Sequence, residues 1–291
     1  MARSLLLASF ALTLALSPQA EGPSPTRLVQ GLIQQELPLD TLSKSKDDPR
    51  QVLQDGEFMP AQPLRVVPNT AWGVGEELTF TVRYGPVVAG SATMAVHDTV
   101  RIDGRLCYYI RTEAQSNRVF SSMYKVRDVA ESFVDVDGLF PWRFRKRLHE
   151  GKFRADRSTV YDQQRNLAIS GKDTLKVPPF VQDVISMLYF LRTQRLVIGD
   201  TLSVANHADR KVYDLKIRVQ GRERVRVRAG AFDCLVVEPF LLDGSGVFKH
   251  EGRIQVWISD DSRRVPVQLK SKVVIGSVTA ELEKMKGVKK T

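Results

Sequence analysis

Three features of the sequence predict a mainly β fold: a curved antiparallel sheet that forms a half-open or closed β barrel, with one helix inserted at about residues 181–192. Apolar and polar residues alternate with period two in segment after segment, the mark of strands buried on one face and wet on the other. Turn-forming pairs separate these segments: Asp103-Gly104, Asp137-Gly138, Gly199-Asp200, Ala229-Gly230 and Asp243-Gly244, with Gly151 between two more. A single stretch breaks the rhythm with helical spacing.

Taken in order, Met1, Ala2 and Arg3 precede an apolar run from Leu5 to Leu16 and then Ser17-Pro18-Gln19-Ala20, the pattern of an export signal over residues 1–20. That run is shorter than the roughly 20 residues a membrane-crossing helix needs, and no later stretch is apolar enough to cross. An exported product with no transmembrane span after signal removal is expected. Residues 21–70 are rich in Pro, Gln, Ser and Asp and read as a flexible linker. Leu28, Leu32 and Ile33 share one helical face within it, enough for a short amphipathic turn. A single domain is expected over 71–286, with a tail at 287–291.

In that domain Leu78-Thr79-Phe80-Thr81-Val82-Arg83-Tyr84 alternates without a break. Phe140, Trp142 and Phe144 do the same against Pro141, Arg143 and Arg145, as do Tyr213, Leu215, Ile217 and Val219, and Val265, Val267 and Leu269. Val181, Val184, Ile185, Leu188 and Leu191 supply the helix, with Pro178-Pro179 suited to its first turn. A sheet of about ten strands must curl or pack on itself, so the helix covers the concave face or plugs one end. Ile254, Val256 and Ile258 face opposite to Trp257, so that strand is apolar on both sides and is covered by the helix or by a ligand.

Composition narrows the partners. Lys and Arg number 43 against 33 Asp and Glu, a formal net charge of +10 that becomes +9 without Arg3. Such a surface favours anionic partners, but the two signs are interspersed as on ordinary soluble surfaces, and an exported protein rarely meets nucleic acid; none is expected. Cys107 and Cys234 are the only cysteines, and an oxidising compartment would permit a disulfide; spacing in sequence leaves open whether they pair or lie separately buried.

A search for catalytic chemistry finds little. His97, His149, His207 and His250 are far apart and in no metal-binding spacing, and there is no nucleophile elbow, so neither a metal nor a cofactor is expected. Gly244-Ser245-Gly246 reads as a loop. Asp260-Asp261 stands before Ser262-Arg263-Arg264, which is explained by a turn with local ion pairs. Asp183 and Arg192 either frame a pocket mouth or serve capping and packing. Arg222, Arg224, Arg226 and Arg228 line one face of a strand and read as solvated.

Two groups remain as candidate binding residues. Arg143, Arg145, Arg147, Lys152 and Arg154, on strands joined at Gly151, form a cationic stripe suited to lipid phosphates or an acidic glycan, or simply the wet face of an edge hairpin. Lys146 and Arg157 lie in the same stretch. Phe80, Val82, Trp142, Phe144, Leu215, Ile217 and Trp257 would line a concave surface for an apolar guest, though any β core needs such residues.

The segments GEELTFTVRYGPVVAGSATM, VQDVISMLYFLRT followed by GDTLSV, RVRAGAFDCLVVEP and VWISDDSRRVPVQLKSKVVIGSVTAEL, in that order, closely resemble a family of exported bacterial proteins known as a domain of unknown function, DUF3108. The resemblance spans about residues 72–285. It implies a curved, half-open barrel and a place in the envelope of a diderm bacterium, periplasmic or associated with the outer membrane; it implies no activity. In shape such barrels are similar to carriers of lipoproteins and lipids. The resulting expectation is a non-catalytic envelope protein that binds an apolar or amphipathic molecule, or an outer-membrane partner, in its concavity. The alternatives are an assembly factor docking an envelope protein through a sheet edge and, behind it, an uncharacterised hydrolase.

Overall fold

Fourteen strands join in one antiparallel sheet in a computed structural model that describes residues 64–241, 254–272 and 276–289. The expected export signal, most of the 21–70 segment, His250 and Gly244-Ser245-Gly246 lie outside the described residues. The strands are β1 (Glu77–Tyr84), β2 (Val87–Ile102), β3 (Arg105–Ser116), β4 (Arg127–Asp135), β5 (Pro141–Glu150), β6 (Phe153–Asp162), β7 (Leu167–Ser170) and β8 (Asp173–Lys176) in the first half. The second half holds β9 (Thr201–Ala208), β10 (Lys211–Val227), β11 (Gly230–Phe240), β12 (Ile254–Ser259), β13 (Pro266–Lys272) and β14 (Ser277–Lys286). Among the described residues two helices interrupt them, α1 (Arg118–Met123) after β3 and α2 (Val184–Leu191) after β8. The expected alternating strands are present as β1, β5, β10 and β13, and the tight turns between them produce two meanders.

The meanders meet where β1 pairs with β14, from Glu77 opposite Lys286 to Tyr84 opposite Val278. The sheet therefore runs β8 to β1, then β14 to β9. Its free edges, β8 and β9, are consecutive in the chain. The connection between them carries α2, so the helix enters at the seam of the rolled sheet, which does not close by strand pairing. Side chains and one short bridge span the seam instead. Gln182 donates its N–H to Ala205 and accepts from His207 N–H at 2.9 and 2.8 Å, forming an isolated parallel bridge with Asn206. Arg210 pairs with Asp173 at 2.8 Å, joining the β9–β10 turn to β8.

Seven of the eight α2 residues are buried, polar Ser186 and Tyr189 among them, as befits a helix apolar nearly all round and enclosed on every side. It begins later than the sequence suggests. Pro178-Pro179 do not occupy its first turn; the chain turns at Phe180, with φ of 56°, and Asp183 is the N-cap. The Asp183 carboxylate accepts from Ile185 and Ser186 N–H, both at 2.8 Å, while Ser186 Oγ accepts from Asp183 N–H at 2.9 Å, a reciprocal capping box. At the other end Arg192 donates to both carboxylate oxygens of Glu76 at 2.6 and 2.8 Å with neither side chain exposed, and Trp72 Nε1 donates to the Tyr189 carbonyl at 2.9 Å. Asp183 and Arg192 thus hold the ends of an internal helix. They frame no mouth.

Residues 64–70 pack on the domain. Val67 N–H donates to the Asp137 carbonyl at 2.8 Å, and the Arg65 guanidinium donates to the Gly138 and Leu139 carbonyls while lying 4.4 Å from the ring centre of Phe190. The six-residue α1 is too short to show a periodicity in the sequence; Asn117 caps it by accepting from Phe120 N–H at 2.9 Å.

Candidate functional site

Between α2 and the inner sheet surface lies a cavity of about 90 Å³, several times what one water requires. Its apolar wall is made by Phe80, Met94, Ile185, Leu188, Val256 and Leu269. Alternation along β1 and β2 points Phe80 and Met94 inward, while Ile185 and Leu188, three apart on α2, cover the opposite side. Small Ala92, Ala130 and Ala280 leave the space that larger residues would fill.

Asp128 and Lys146 are the buried charged residues of the wall, which Thr93, Thr112, Glu113 and Gln268 also line. Asp128 and Lys146 lie on neighbouring strands, at 3% and 5% exposure. Lys146 Nζ lies 2.6 Å from Asp209 Oδ1 in the β9–β10 turn, which makes it a tie across the seam. Asp128 Oδ1 accepts from His149 N–H at 2.7 Å. Its other oxygen has no donor among the described residues apart from Glu150, whose buried carboxyl faces it. Burial first, then the Asp128 charge and hydrogen bond, push Glu150 up to about 8, with Lys146 pulling the other way. Glu150 therefore keeps its proton at neutral pH, with the Asp128 and Lys146 side chains beside it.

Further groups surround this cluster. Burial, then Glu150 and Asp128, push Tyr124 up to about 12. Its ring lies so close to Gly151 that a Cβ there would sit 2.6 Å away, and φ at Gly151 is 58°, so only glycine fits this turn. Tyr161 OH and His207 Nδ1 are 3.1 Å apart, and burial holds His207 below the ordinary histidine range. Burial pushes Asp183 up to about 6 against the opposing bond from Ser132 Oγ at 2.6 Å. A second cavity of about 20 Å³, room for one water, lies among Val82, Phe120, Tyr124 and Val126.

The residues singled out in the sequence are placed in several different surroundings. Phe80 lines the larger cavity and Val82 the smaller, while Phe144, Leu215 and Ile217 belong to the same interior cluster without lining either. Trp142 sits at a bulge, where Phe133 pairs with Arg143 and Val134 with Pro141. Its indole donates to Asp135 at 2.9 Å, beside Arg105, which donates to the same carboxylate. Trp257 packs in a separate cluster with Cys234, Val236 and Val267, and donates to Glu223 at 2.7 Å. Val225, Val227 and Phe232 of the long β10–β11 ribbon cover it, where the sequence pattern suggests the helix or a ligand.

Arg143, Arg145 and Arg147 are exposed along the outer face of β5, and Lys152 and Arg154 are exposed at the β5–β6 turn. Cys107 and Cys234 are both free thiols, fully buried. Six strand spacings separate β3 from β11 along the sheet, roughly 29 Å at about 4.8 Å each, and no bridge forms. Asp260 and Asp261 pair with Arg264 and Arg263, as a turn with local ion pairs requires. No group of three or more His, Cys, Asp or Glu among the described residues could hold a metal ion, and no described helix is long and apolar enough to cross a membrane. Sequence reasoning does not single out Asp128, Lys146 and Glu150 as a site, although Lys146 and Glu150 share the parity of Phe144 on β5.

The chain matches the family described as protein of unknown function (DUF3108) over residues 79–283 and belongs to it. No curated protein matches. Among solved structures it is similar to a β-barrel-like protein of the DUF1849 family from Brucella abortus, at 11% identity and a TM-score of 0.48 over 78% of this chain and all of that one. A DUF1089 family protein from Pseudomonas aeruginosa is similar at 8% identity and a TM-score of 0.37, covering 63% of this chain and 90% of the other.

Proposed function

We propose that this member of the DUF3108 family is a non-catalytic exported protein that binds a slim amphipathic molecule inside its barrel. The observation that carries the reading is the cavity between α2 and the sheet, apolar over most of its wall, with the buried charged side chains of Asp128 and Lys146 among its polar lining residues. A close-packed core fills space of this size, because each missing contact costs stability; a cavity retained next to three alanines has the form of a binding site. Its volume suits one alkyl chain or a small ring system, and a head that donates hydrogen bonds, such as an alcohol, amide or amine, would meet the Asp128 carboxylate. The signal-like N-terminus and the net charge of +10 support a place in a bacterial envelope, near anionic lipid.

Docking of a partner strand on a sheet edge has less to work with. The β8 edge is four residues long, and part of the β9 edge is taken by Gln182. The test is native mass spectrometry with organic extraction of protein recovered without detergent, run beside an Ala92→Leu/Ala130→Leu variant whose added methyl groups fill the cavity. A bound small molecule that is present in the parent and reduced at least tenfold in the variant supports the reading. A clean apo mass in several preparations of the parent, or equal loading of a folded variant, refutes it.

A further inference from the structure

One end of the sheet gathers exposed apolar side chains onto a single platform. Val87 and Val88 open β2 just after the β1–β2 turn, Val119 and Met123 lie on α1, and Phe153 opens β6 after the β5–β6 turn, with Val119 and Met123 69% and 70% exposed. These three turns are joined by hydrogen bonds. Asn117 N–H donates to the Ala89 carbonyl at 2.8 Å and its side-chain amide to the Val88 carbonyl at 2.7 Å, while Gly151 N–H donates to the Lys125 carbonyl at 2.8 Å. The protruding side chains therefore stand at fixed positions on a firm base.

The charge around them is mostly of one sign. Segments 85–91, 117–127 and 151–155 contain Arg118, Lys125, Arg127, Lys152 and Arg154, all exposed, and no acidic residue; exposed Asp156 follows one position on, opposite Arg147. Glu150 next to them is buried and holds its proton. Elsewhere several surface arginines are paired, as Arg222 with Asp260, Arg224 with Asp233 and Arg228 with Glu283, although among the described residues the outward row Arg143, Arg145 and Arg147 on β5 is not. Among the described residues none of the five cations at this end has a carboxylate within ion-pair distance. Their field reaches His149, which partial desolvation and then Arg154, Lys125 and Arg127 hold below its ordinary value.

We propose that this end of the barrel seats on an anionic lipid bilayer, with Val119, Met123 and Phe153 entering the boundary between headgroups and acyl chains and the five cations meeting lipid phosphates. A few protruding apolar side chains within a ring of cations complement a surface that is anionic at the top and apolar just beneath, which is the cross-section of such a bilayer. An apolar protein interface would bring its own rim of mixed charge and would leave these five cations without a matching layer. The inference stands whether or not the internal cavity holds a ligand.

The experiment is cosedimentation of the full chain with vesicles of phosphatidylethanolamine and phosphatidylglycerol, against vesicles of phosphatidylcholine alone. It compares the parent with Val119→Glu/Met123→Glu and with Lys152→Glu/Arg154→Glu. All share the same N-terminal region, so differences between them read this end alone. Partitioning onto the anionic vesicles should fall at least tenfold in each double variant, weaken with added salt and be at least tenfold lower on neutral vesicles. A Met123→Trp variant, with fluorescence quenched by brominated phosphatidylglycerol, reports insertion directly and serves if a charge-changed variant fails to fold. Parent and folded variants binding alike, equal binding to neutral vesicles, or indole fluorescence of the Met123→Trp variant that stays unquenched overturns the proposal. So does self-association that Val119→Glu/Met123→Glu abolishes without any vesicle binding, which would assign the surface to a second copy of the chain.

Discussion

Replacing Glu150 by Gln should remove a specific piece of the pH dependence of stability. Glu150 is pushed up to about 8 in the folded protein from the usual 4.5, chiefly by burial and then by Asp128. The folded state thus keeps a proton that the unfolded chain releases, so the contribution is fully present below about pH 4.5 and is lost as pH rises toward 8. For these two values the loss between pH 7 and 8 is about 1 kcal/mol, or 2–4 °C in Tm for a domain of this size. Asp183, His207 and the two thiols contribute equally to parent and variant, so the difference between the two proteins isolates Glu150. Gln keeps the shape and can donate to Asp128 Oδ2. Thermal melts of both proteins at pH 7.0, 7.5 and 8.0 should show the parent falling more steeply than Glu150→Gln, so that the gap shifts toward the variant by about 1 kcal/mol whatever its starting offset. Parallel curves would refute the protonation state of Glu150 beside Asp128.

Two further outcomes follow from buried groups. Arg192→Met leaves the Glu76 carboxylate without its partner in a site of zero exposure and should cost about 3–5 kcal/mol in denaturant melts, while Arg192→Met with Glu76→Leu should recover most of that loss; a single variant as stable as the parent would mean that the pair does not anchor α2. Cys107 and Cys234, each pushed up to about 12 mainly by burial, should both resist a thiol reagent at pH 8 in the folded protein and both react in denaturant without prior reduction. Recovery of a disulfide-linked peptide would contradict this.

Strand alternation made most of the sheet readable. In β1 Leu78, Phe80 and Val82 are buried as their parity demands, and in α2 the spacing of Val184, Ile185, Leu188 and Leu191 matches the helix. What local patterns could not supply were register and bulges. A bulge between Phe133 and Val134 sends Trp142 to Asp135, away from Phe144, although the two share parity. Lys146 lies in the same basic stretch as the outward Arg143, Arg145 and Arg147, yet it alternates with them and shares the inward side with Phe144; the pattern holds this information, and the residue's usual preference for water hides it. The meeting of Asp128 and Glu150 depends on the bridge between Val126 and Glu150, a pairing across 24 positions that nothing local announces.

The seam explains why a barrel of this size holds both a helix and a cavity. A sheet closed by strand pairing all round would fix its own circumference. Here β8 and β9 stop short of each other, and the connection between them folds inward as α2. Its N-terminus is held to β4 through Asp183 and Ser132, and its C-terminus to the residue before β1 through Arg192 and Glu76. The helix is thus fixed to the first half of the sheet, whereas β9 and the β9–β10 turn reach that half through Gln182, Arg210 and Asp209. Lys146 is thus both one partner of a seam tie and part of the cavity wall. A guest that draws on Lys146 would weaken a tie between the two halves, so occupancy of the cavity and closure of the seam are linked through one side chain.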